Sequence, residues 1–388
     1  MFEELNHPCV QLMLALSKEK MGNQEQLKQQ LAAMDMEDFF RLCQEHELDG
    51  VVASHILQWD LAQLPDYWQE AYEKEKRHLG FLKEKAAQIC SLMVDNGITM
   101  VVLKNGGIMQ DMVEDPAACP MEDIDSLVKK SDFKKAHQIL IDNGFLFKFR
   151  SEFEEEDLEA AFRDGSTEYR IDTPEGKEMW FELAWRAVAG RWIRRDLEPD
   201  ADALIENAYF APGTKVGILS AEDNLLQVSV HTAKHSYVRA PGLRLHLDVE
   251  RIVAHKEINW KLFLEKVEAA HVNTSTYYSL YLAKMLFDTP VPREVLDHLY
   301  PGKRKDKRIL KLISKAGLLH PKIRKFSKLQ FLRFQTSLYD SFRDAWFVLY
   351  PKNRGLHEIY GYKSPLLTPY YLVLHGLDLV GIRKKKKC

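Results

Sequence analysis

The sequence predicts an α+β fold, in which a small mixed sheet is flanked by helical regions at both ends of the chain. Two observations support this class. The first hundred residues and those from about residue 200 onward have the pattern of helices, whereas short apolar runs typical of strands fill the stretch between them. The pattern therefore divides the chain into an N-terminal helical region (1–97), an α/β core (98–198) and a C-terminal helical domain with a basic tail (199–388).

The composition is that of a globular protein. Apolar residues make up 46% of the 388 residues and charged residues 29%, and the net charge of −3 excludes nucleic-acid binding through overall charge. The five cysteines are scattered, so we predict neither a zinc site nor a disulfide framework. The N-terminus lacks a secretory signal, and no apolar run has the length of a membrane span, so we expect a cytoplasmic protein.

Five helices are predicted in the N-terminal region. The last, at residues 66–96, is long and amphipathic, and Gly97 is suited to end it. The four shorter helices are predicted at residues 10–16, 25–34, 37–47 and 51–59. These helices carry no recognisable chemistry, so we expect them to support the core or to bind a partner.

Strands and short helices alternate in the core. The predicted strands are residues 99–103, 123–128, 145–149, 168–172 and 178–185, the last two forming a hairpin. Helices are predicted at 106–112 and at 132–142, the second capped by Ser131. The acid-rich stretch at 152–159 is predicted to be a solvated face.

The C-terminal domain is predicted to be helical at residues 224–237, 243–254, 260–270, 274–287, 292–299 and 329–350. Between the last two helices lies a strongly basic segment, Lys303 to Lys328, in which Asp306 is the single acidic residue. We favour a basic pair of surface helices for this segment. A binding site for an anionic partner, such as a nucleic-acid backbone, an acidic acceptor or an anionic lipid, is the alternative.

Two aspartates carry the strongest functional signal. Asp123 and Asp125 lie one residue apart in an apolar strand, so their side chains project from the same face. Paired carboxylates repel each other unless a cation lies between them, and oxygen ligands suit Mg²⁺, which also binds substrate phosphates. The turn at Gly106 and Gly107, which follows another apolar run, would let backbone N–H groups approach a phosphate. The pattern indicates metal-assisted phosphoryl or nucleotidyl transfer.

These motifs resemble those of the DNA-polymerase-β-type nucleotidyltransferase superfamily and, more narrowly, a bacterial family of uncharacterised nucleotidyltransferases. The similarity covers about residues 95–260. It rests on Leu103-Lys104, Gly106-Gly107, Asp123-Ile124-Asp125, the run from Glu182 to Trp185, and the pair His231 and His235. The sequence departs from the family pattern at Asn105, which interrupts a Lys-Gly step, and at Ser126, where an apolar residue is usual.

The resemblance implies an Mg²⁺-dependent enzyme, with Mn²⁺ as an alternative ion, that moves an NMP group from an NTP such as ATP to an acceptor hydroxyl. Asp123, Asp125 and Glu182 would be the catalytic and metal-binding residues. The nucleotide would be bound by Lys104, Gly106, Gly107, His231, Lys234 and His235. The acceptor stays open among a sugar, an antibiotic, a protein side chain and a tRNA end.

Purely structural interpretations of several of these residues also stay open. Lys104 could be a solvated lysine at a strand end, and the two histidines a buried structural pair. Asp248 is either a surface residue of its helix or a partner that orients one of the histidines. Because of the departures at Asn105 and Ser126, a catalytically weak nucleotide-binding or assembly module is the alternative function.

Overall fold

The computed structural model describes residues 2–150, 156–173, 178–187, 193–194, 196–235, 242–316, 326–349, 356, 360–362 and 364–379. This part of the chain is an α+β structure, in which a seven-stranded mixed sheet is flanked by helices. The predicted fold class is confirmed.

Five helices precede the sheet, as predicted. They are α1 (Pro8–Ser17), α2 (Gln24–Ala32), α3 (Met36–Glu45), α4 (Asp49–Gln58) and α5 (Asp66–Asp95). The side chains of Asn23 and Asp35 accept hydrogen bonds from backbone N–H groups in the first turns of α2 and α3, which have no partner inside the helix. Gly97 follows α5 with a φ of 74°, a conformation that glycine adopts without strain.

The strands are β1 (Val101–Val102), β2 (Asp123–Leu127), β3 (Leu146–Phe147), β4 (Ser166–Asp172), β5 (Glu178–Ala184), β6 (Tyr209–Phe210) and β7 (Gly217–Ile218). Their order across the sheet is β3-β4-β5-β2-β1-β7-β6. β2 lies between β5, to which it is parallel, and β1, to which it is antiparallel. The predicted hairpin of β4 and β5 is confirmed. Since β6 and β7 follow residue 198, the sheet extends beyond the predicted core, while the domain limits themselves stay a prediction.

Four helices accompany the sheet: α6 (Lys104–Asp111), α7 (Phe133–Asp142), α8 (Leu158–Asp164) and α9 (Ala201–Glu206). The prediction that Ser131 caps α7 is wrong. Asp132 holds the N-cap position without a capping bond, and the Ser131 hydroxyl lies 3.4 Å from the Asp132 carboxylate. Part of the acid-rich stretch is also helical, because Asp157 accepts a hydrogen bond from the Glu159 N–H and so starts α8. Residues 151–155 lie outside the described residues.

The C-terminal helices are α10 (Ala221–His235), α11 (Gly242–His255), α12 (Trp260–Ala269), α13 (Asn273–Phe287), α14 (Arg293–Leu299), α15 (Lys303–Ala316), α16 (Lys328–Leu338), α17 (Phe342–Leu349) and α18 (Thr368–Leu379). Among the described residues, we find no helix with the length and apolar character that crossing a membrane requires.

The single helix predicted for residues 329–350 is two helices, α16 and α17. The chain is extended at Tyr339, where ψ is 145°. The next residue, Asp340, accepts hydrogen bonds from the backbone N–H groups of Asn273 and Thr274 at 2.9 and 2.7 Å. The break therefore supplies a cap for the first turn of α13, which a continuous helix could not do.

The two faces of the sheet differ. One face, including Val102, Ile124 and Phe181, joins the main hydrophobic core, which also contains side chains from the N-terminal and C-terminal helices. On the other face, Val101, Leu127 and Ala184 form a small apolar cluster with residues of α9. Asp123 and Asp125 alternate with Ile124, so they lie on this second face, next to the small cluster.

Candidate active site

Three carboxylates share one face of the sheet. Asp123 and Asp125 lie on β2, and Glu182 lies on β5 directly opposite Asp125 in the strand register. Directly opposite residues on paired strands project from the same face, so the structure brings together the three predicted carboxylates. Their catalytic and metal-binding roles stay predictions.

Burial, with a smaller contribution from neighbouring charges, raises the pKa of both aspartates. Burial raises the pKa of Asp125 to about 6; the neighbouring Glu182 adds to the rise, and Lys104 opposes it. The pKa of Asp123 is also raised, first by burial and then by Asp125, while Arg150 opposes the rise. Negative charges held close together away from water favour a proton or a cation beside them.

Lys104 supplies a cation to this group. Its ammonium lies 2.7 Å from Asp125 Oδ1. Burial alone would lower the pKa of Lys104, but Asp125 and Glu182 outweigh burial and raise it, so the ammonium stays protonated. The interpretation of Lys104 as a solvated lysine at a strand end is therefore wrong.

The turn that carries Lys104 is anchored by Asn105. The Asn105 amide donates hydrogen bonds to the carbonyl oxygen of Pro120 at 3.1 Å and to Asp248 Oδ1 at 3.4 Å. Lys104 has a φ of 52°, which is unusual for a residue other than glycine. Asn105, the departure from the family pattern, thus fixes the start of α6. Asp248 is buried and contacts Asn105, so the interpretation of Asp248 as a surface residue is wrong.

Arg150 is a site residue that the sequence did not indicate. Its guanidinium pairs with Asp123, lies 3.4 Å from Glu168 Oε1, and stacks over the Trp180 ring at 5.5 Å from the ring centre. Trp180 is the register partner of Asp123 on β5. Arg150 follows β3, which is separated from β2 by two strands, and no spacing in the sequence points to this contact.

Helix α10 brings three predicted residues to the same place. His231 and His235 lie one turn apart with ring centres 4.6 Å from each other. Burial lowers the pKa of Lys234 to about 8, and the charge of Lys104 contributes. Burial also lowers the pKa of His231, again with a contribution from Lys104. These effects place the end of α10 within electrostatic reach of Lys104.

A cleft of about 290 Å³, called the larger cleft below, opens between the sheet and α10. Its walls include the three carboxylates, Arg150, Arg244 and each predicted nucleotide-binding residue except Gly107. Arg244, also missed from the sequence, pairs with Glu47 at 3.2 Å. Gly107 has a structural reason to be glycine, because a Cβ there would lie 2.6 Å from the Val102 carbonyl oxygen. Its predicted phosphate contact stays a prediction.

A second cavity of about 110 Å³, called the smaller cavity below, adjoins the larger cleft. The two share the side chains of Lys104, Asp125, Glu182, His231 and Lys234. The site therefore consists of two compartments that meet at two of the carboxylates.

Comparison with known proteins assigns this chain to a family. The family model described as "Uncharacterised nucleotidyltransferase" matches residues 32–288, well over half of the chain. The chain belongs to this family of uncharacterised nucleotidyltransferases. The match includes both compartments of the site and supports a general role in nucleotidyl transfer. Searches of curated proteins and of solved structures each returned no match.

A metal ion in a nucleotidyltransferase site needs oxygen ligands that the chain does not already neutralise fully. Asp125 and Glu182 are adjacent, and burial together with the charge of Glu182 raises the pKa of Asp125 although Lys104 opposes the rise. These donors fit a hard divalent cation such as Mg²⁺. Across the described residues, no group of three or more His, Cys, Asp or Glu side chains is already arranged as a metal centre. Asp123 and Asp125 are paired with Arg150 and Lys104.

None of the described residues of the basic segment, Lys303 to Lys328, lines either compartment. In its described part, α15 buries Ile309 and Ile313 and exposes basic side chains including Lys307 and Lys311. Asp306 accepts a hydrogen bond from the Tyr278 hydroxyl at 2.8 Å. Residues 317–325 and the basic tail lie outside the described residues, so the second helix of the favoured basic pair and the alternative of an anionic partner both stay untested.

Proposed function

We propose that this protein is a metal-dependent nucleotidyltransferase that moves an NMP group from an NTP to an acceptor hydroxyl. The observation that carries the proposal is the register of β2 and β5, which sets Glu182 beside Asp125 and on the same face as Asp123. The family assignment supports it independently.

The larger cleft is suited to the triphosphate. Lys104, Lys234 and Arg150 contribute positive charge, and Gly106 lies at the start of α6, where backbone N–H groups favour anions. Asp123, Asp125 and Glu182 would hold Mg²⁺, or Mn²⁺, which when bound supplies Lewis-acid neutralisation of the phosphate charge. On NTP binding, Lys104 and Arg150 would pass from the carboxylates to phosphate oxygens.

The transfer is a substitution at the α-phosphorus. The acceptor oxygen forms a bond to this phosphorus, the bond from it to the bridging oxygen breaks, and pyrophosphate leaves with the electron pair. Glu182 lines both compartments and so is placed to take the hydroxyl proton.

The test is Mg²⁺-dependent release of pyrophosphate from NTPs in the presence of a mixed set of candidate acceptors that carry hydroxyl groups, measured with wild type, Asp125→Asn and Asp172→Asn. Asp172 lies on β4 of the same sheet, its side chain is exposed, and it lines neither compartment, so it is a matched control. We expect Asp125→Asn to reduce release to background and Asp172→Asn to leave it unchanged. Equal release by all three proteins would contradict the proposal.

The alternative function makes a different prediction in the same assay. A catalytically weak binding module would bind NTP and release no pyrophosphate. The ion pairs of Lys104 with Asp125 and of Arg150 with Asp123 favour this alternative, because they satisfy two carboxylates without any ligand. Titration of a non-hydrolysable ATP analogue with Mg²⁺ would separate binding from turnover.

A further inference from the structure

Helix α18 carries apolar side chains on a side that faces solvent. Leu366 and Leu367 lie in the 3₁₀ turn before the helix, and Tyr370 and Val373 lie in its first two turns. All four side chains are exposed, Leu366 by 90% and Val373 by 64%. Since residues three or four positions apart lie on one side of a helix, these four side chains form one strip, called the apolar strip below.

The opposite side of α18 makes polar contacts inside the protein. Thr368 Oγ1 accepts a hydrogen bond from the Tyr362 hydroxyl at 3.1 Å, and the Tyr362 ring stacks on Tyr371 with ring centres 4.3 Å apart. His375 is buried, and its Nδ1 lies 3.0 Å from the Tyr360 hydroxyl. A surface helix in water usually has the reverse arrangement, with its apolar side packed inward and its polar side in solvent. The inner contacts therefore hold α18 in an orientation that leaves the apolar strip outside.

The sequence after α18 supplies positive charge. Arg383 and the four lysines Lys384 to Lys387 follow one another and are called the basic run below. Between residues 360 and 388, Asp378 is the single acidic residue. The basic run lies outside the described part of the chain, and its charge follows from the sequence alone. An apolar strip and five consecutive cations thus lie next to each other in the chain.

An anionic membrane surface matches both features. Stable attachment of a peripheral protein takes two signals, such as an apolar group at the boundary between headgroups and acyl chains and a basic cluster beside anionic headgroups. The ring and hydroxyl of Tyr370 suit this boundary, where one end of a side chain is in an apolar environment and the other in water. α18 has 12 residues, too few to span a bilayer, so it would lie along the surface.

A nucleic acid matches only one of the two features. Its phosphates would pair with the basic run, but its surface of phosphates and base edges offers no apolar phase for Leu366 and Val373. A membrane surface is therefore the partner that accounts for the exposed strip and for the charge beside it.

We propose that α18, the turn before it and the basic run attach this protein to the surface of a membrane that contains anionic lipids. The apolar strip enters the boundary between headgroups and acyl chains, and the basic run binds the headgroup phosphates. None of the described residues from Ser364 to Leu379 lines either compartment of the candidate active site. The inference goes beyond the proposed function and does not depend on it.

The test is flotation of the full chain with vesicles of phosphatidylcholine, either alone or mixed with about 30% phosphatidylglycerol as the anionic lipid. We expect wild type to bind the anionic vesicles at low salt and to bind the neutral vesicles at least about tenfold more weakly. Binding to the anionic vesicles should fall in about 0.5 M NaCl, because salt screens the attraction between the basic run and the headgroups.

The contribution of the basic run is tested by removing four charges together, with Lys384→Ala, Lys385→Ala, Lys386→Ala and Lys387→Ala. Each cation near an anionic surface strengthens binding severalfold, so the affinity for anionic vesicles should fall at least about a hundredfold. The matched control removes the same number of charges from exposed positions of α15, with Lys303→Ala, Lys307→Ala, Lys311→Ala and Lys315→Ala. Its affinity should stay within about twofold of wild type.

The contribution of the apolar strip is tested with Leu366→Ser and Val373→Ser combined. The affinity for anionic vesicles should fall at least about tenfold, since two apolar side chains no longer leave water on binding. Both side chains are exposed in the free protein, so its melting temperature should be unchanged. Leu57→Ser combined with Leu262→Ser, two exposed leucines of α4 and α12, is the matched control and should bind as wild type does.

Three outcomes would overturn the proposal. Wild type might fail to float with anionic vesicles at low salt; a dimer that Leu366→Ser with Val373→Ser separates, in analytical ultracentrifugation, would then assign the strip to a second copy of the chain. Equal binding to neutral and anionic vesicles would remove the role of the basic run. An equal loss of affinity in the α15 variant would place the lipid contact on that helix instead.

Discussion

Single residues at the start of α6 hold one another in place. Lys104 has a left-handed backbone conformation that costs an L-residue about 1–2 kcal/mol. Two contacts hold it there: its ammonium pairs with Asp125, and the next residue, Asn105, is bonded to Pro120 and Asp248. Such strain persists where the surroundings fix it, which is common at functional sites.

This arrangement predicts that two Lys104 variants differ in their free energy of unfolding. Both Lys104→Ala and Lys104→Gly remove the ammonium, but only glycine relieves the positive φ. We expect Lys104→Gly to be the more stable of the two by about 0.5–1 kcal/mol in chemical denaturation, and both to bind ATP analogue more weakly than wild type. A more stable Lys104→Ala would show that the backbone is not strained at this position.

Asp248 predicts a pH dependence of stability. Its pKa is about 6 in the folded protein because burial outweighs Arg244 and Arg251, whereas in the unfolded chain it ionises near pH 4. Between these values the folded state binds more protons, so this residue lowers the free energy of unfolding as pH rises. Asp248→Asn cannot ionise. Its free energy of unfolding relative to wild type should rise from pH 4 to pH 6.5 by an amount on the order of 2 kcal/mol.

Urea denaturation of the metal-free proteins at four pH values across this range would measure the difference. A difference that is constant with pH would contradict the buried, protonated state of Asp248. The control is wild type at the same pH values, since other buried carboxylates titrate in both proteins and cancel.

At the scale of elements, periodic patterns predicted the longer helices and strands. β6 and β7 were missed because each has two residues and both lie in a region whose overall pattern is that of helices. The break between α16 and α17 was missed because Asp340 caps α13, a contact between residues 67 positions apart. The prediction failed where a tertiary contact, rather than a local preference, decided the conformation.

The site was likewise predictable where a local pattern decided it and not where a tertiary contact did. Alternation along β2 placed Asp123 and Asp125 on one face, and the apolar run around Glu182 indicated a strand. Arg150 and Gln227, which lines the smaller cavity, were not found. Arg150 follows a strand that carries no motif, and Gln227 lies on the predicted helix α10 but outside its His-Lys-His motif. Their contributions depend on strand order and on the packing of α10, which the sequence alone did not give.

The packing of α6 on β1 predicts the effect of two glycine substitutions. A Cβ at Gly107 would lie 2.6 Å from the Val102 carbonyl oxygen, whereas a Cβ at Gly80, inside α5, would meet nothing within 4 Å. Gly107→Ala must displace α6 and should destabilise the protein by about 1–3 kcal/mol. Gly80→Ala should stabilise it by about 0.5–1 kcal/mol, because alanine is the better helix former. Thermal melting of both variants would check this, and equal shifts would contradict the close approach of α6 to β1.

At the scale of the whole molecule, one hydrophobic core includes residues from Phe2 to Leu338. Arg251 lies within it, 1% exposed, and joins three regions. Its Nε donates to Glu19 at 2.7 Å, and another nitrogen of its guanidinium donates to the carbonyl oxygen of Ala118. Burial alone would raise the pKa of Glu19, but His255 and Arg251 outweigh it and lower the pKa to about 2. A buried ion pair thus links the N-terminal helices to the sheet region and to α11.

This link predicts how the three sequence regions unfold. Glu19→Gln leaves the Arg251 charge buried without its counter-charge, so the free energy of unfolding should fall by about 3–5 kcal/mol. Because the core is continuous, calorimetry should show a single transition at a lower temperature. The control is Asp288→Asn. It removes an ion pair between Lys18 and Asp288, which joins the same regions but is exposed at Asp288, and should cost less than about 1 kcal/mol. Separate transitions in Glu19→Gln, with only the first shifted, would mean that the N-terminal region folds independently of the sheet and that Arg251 does not couple them.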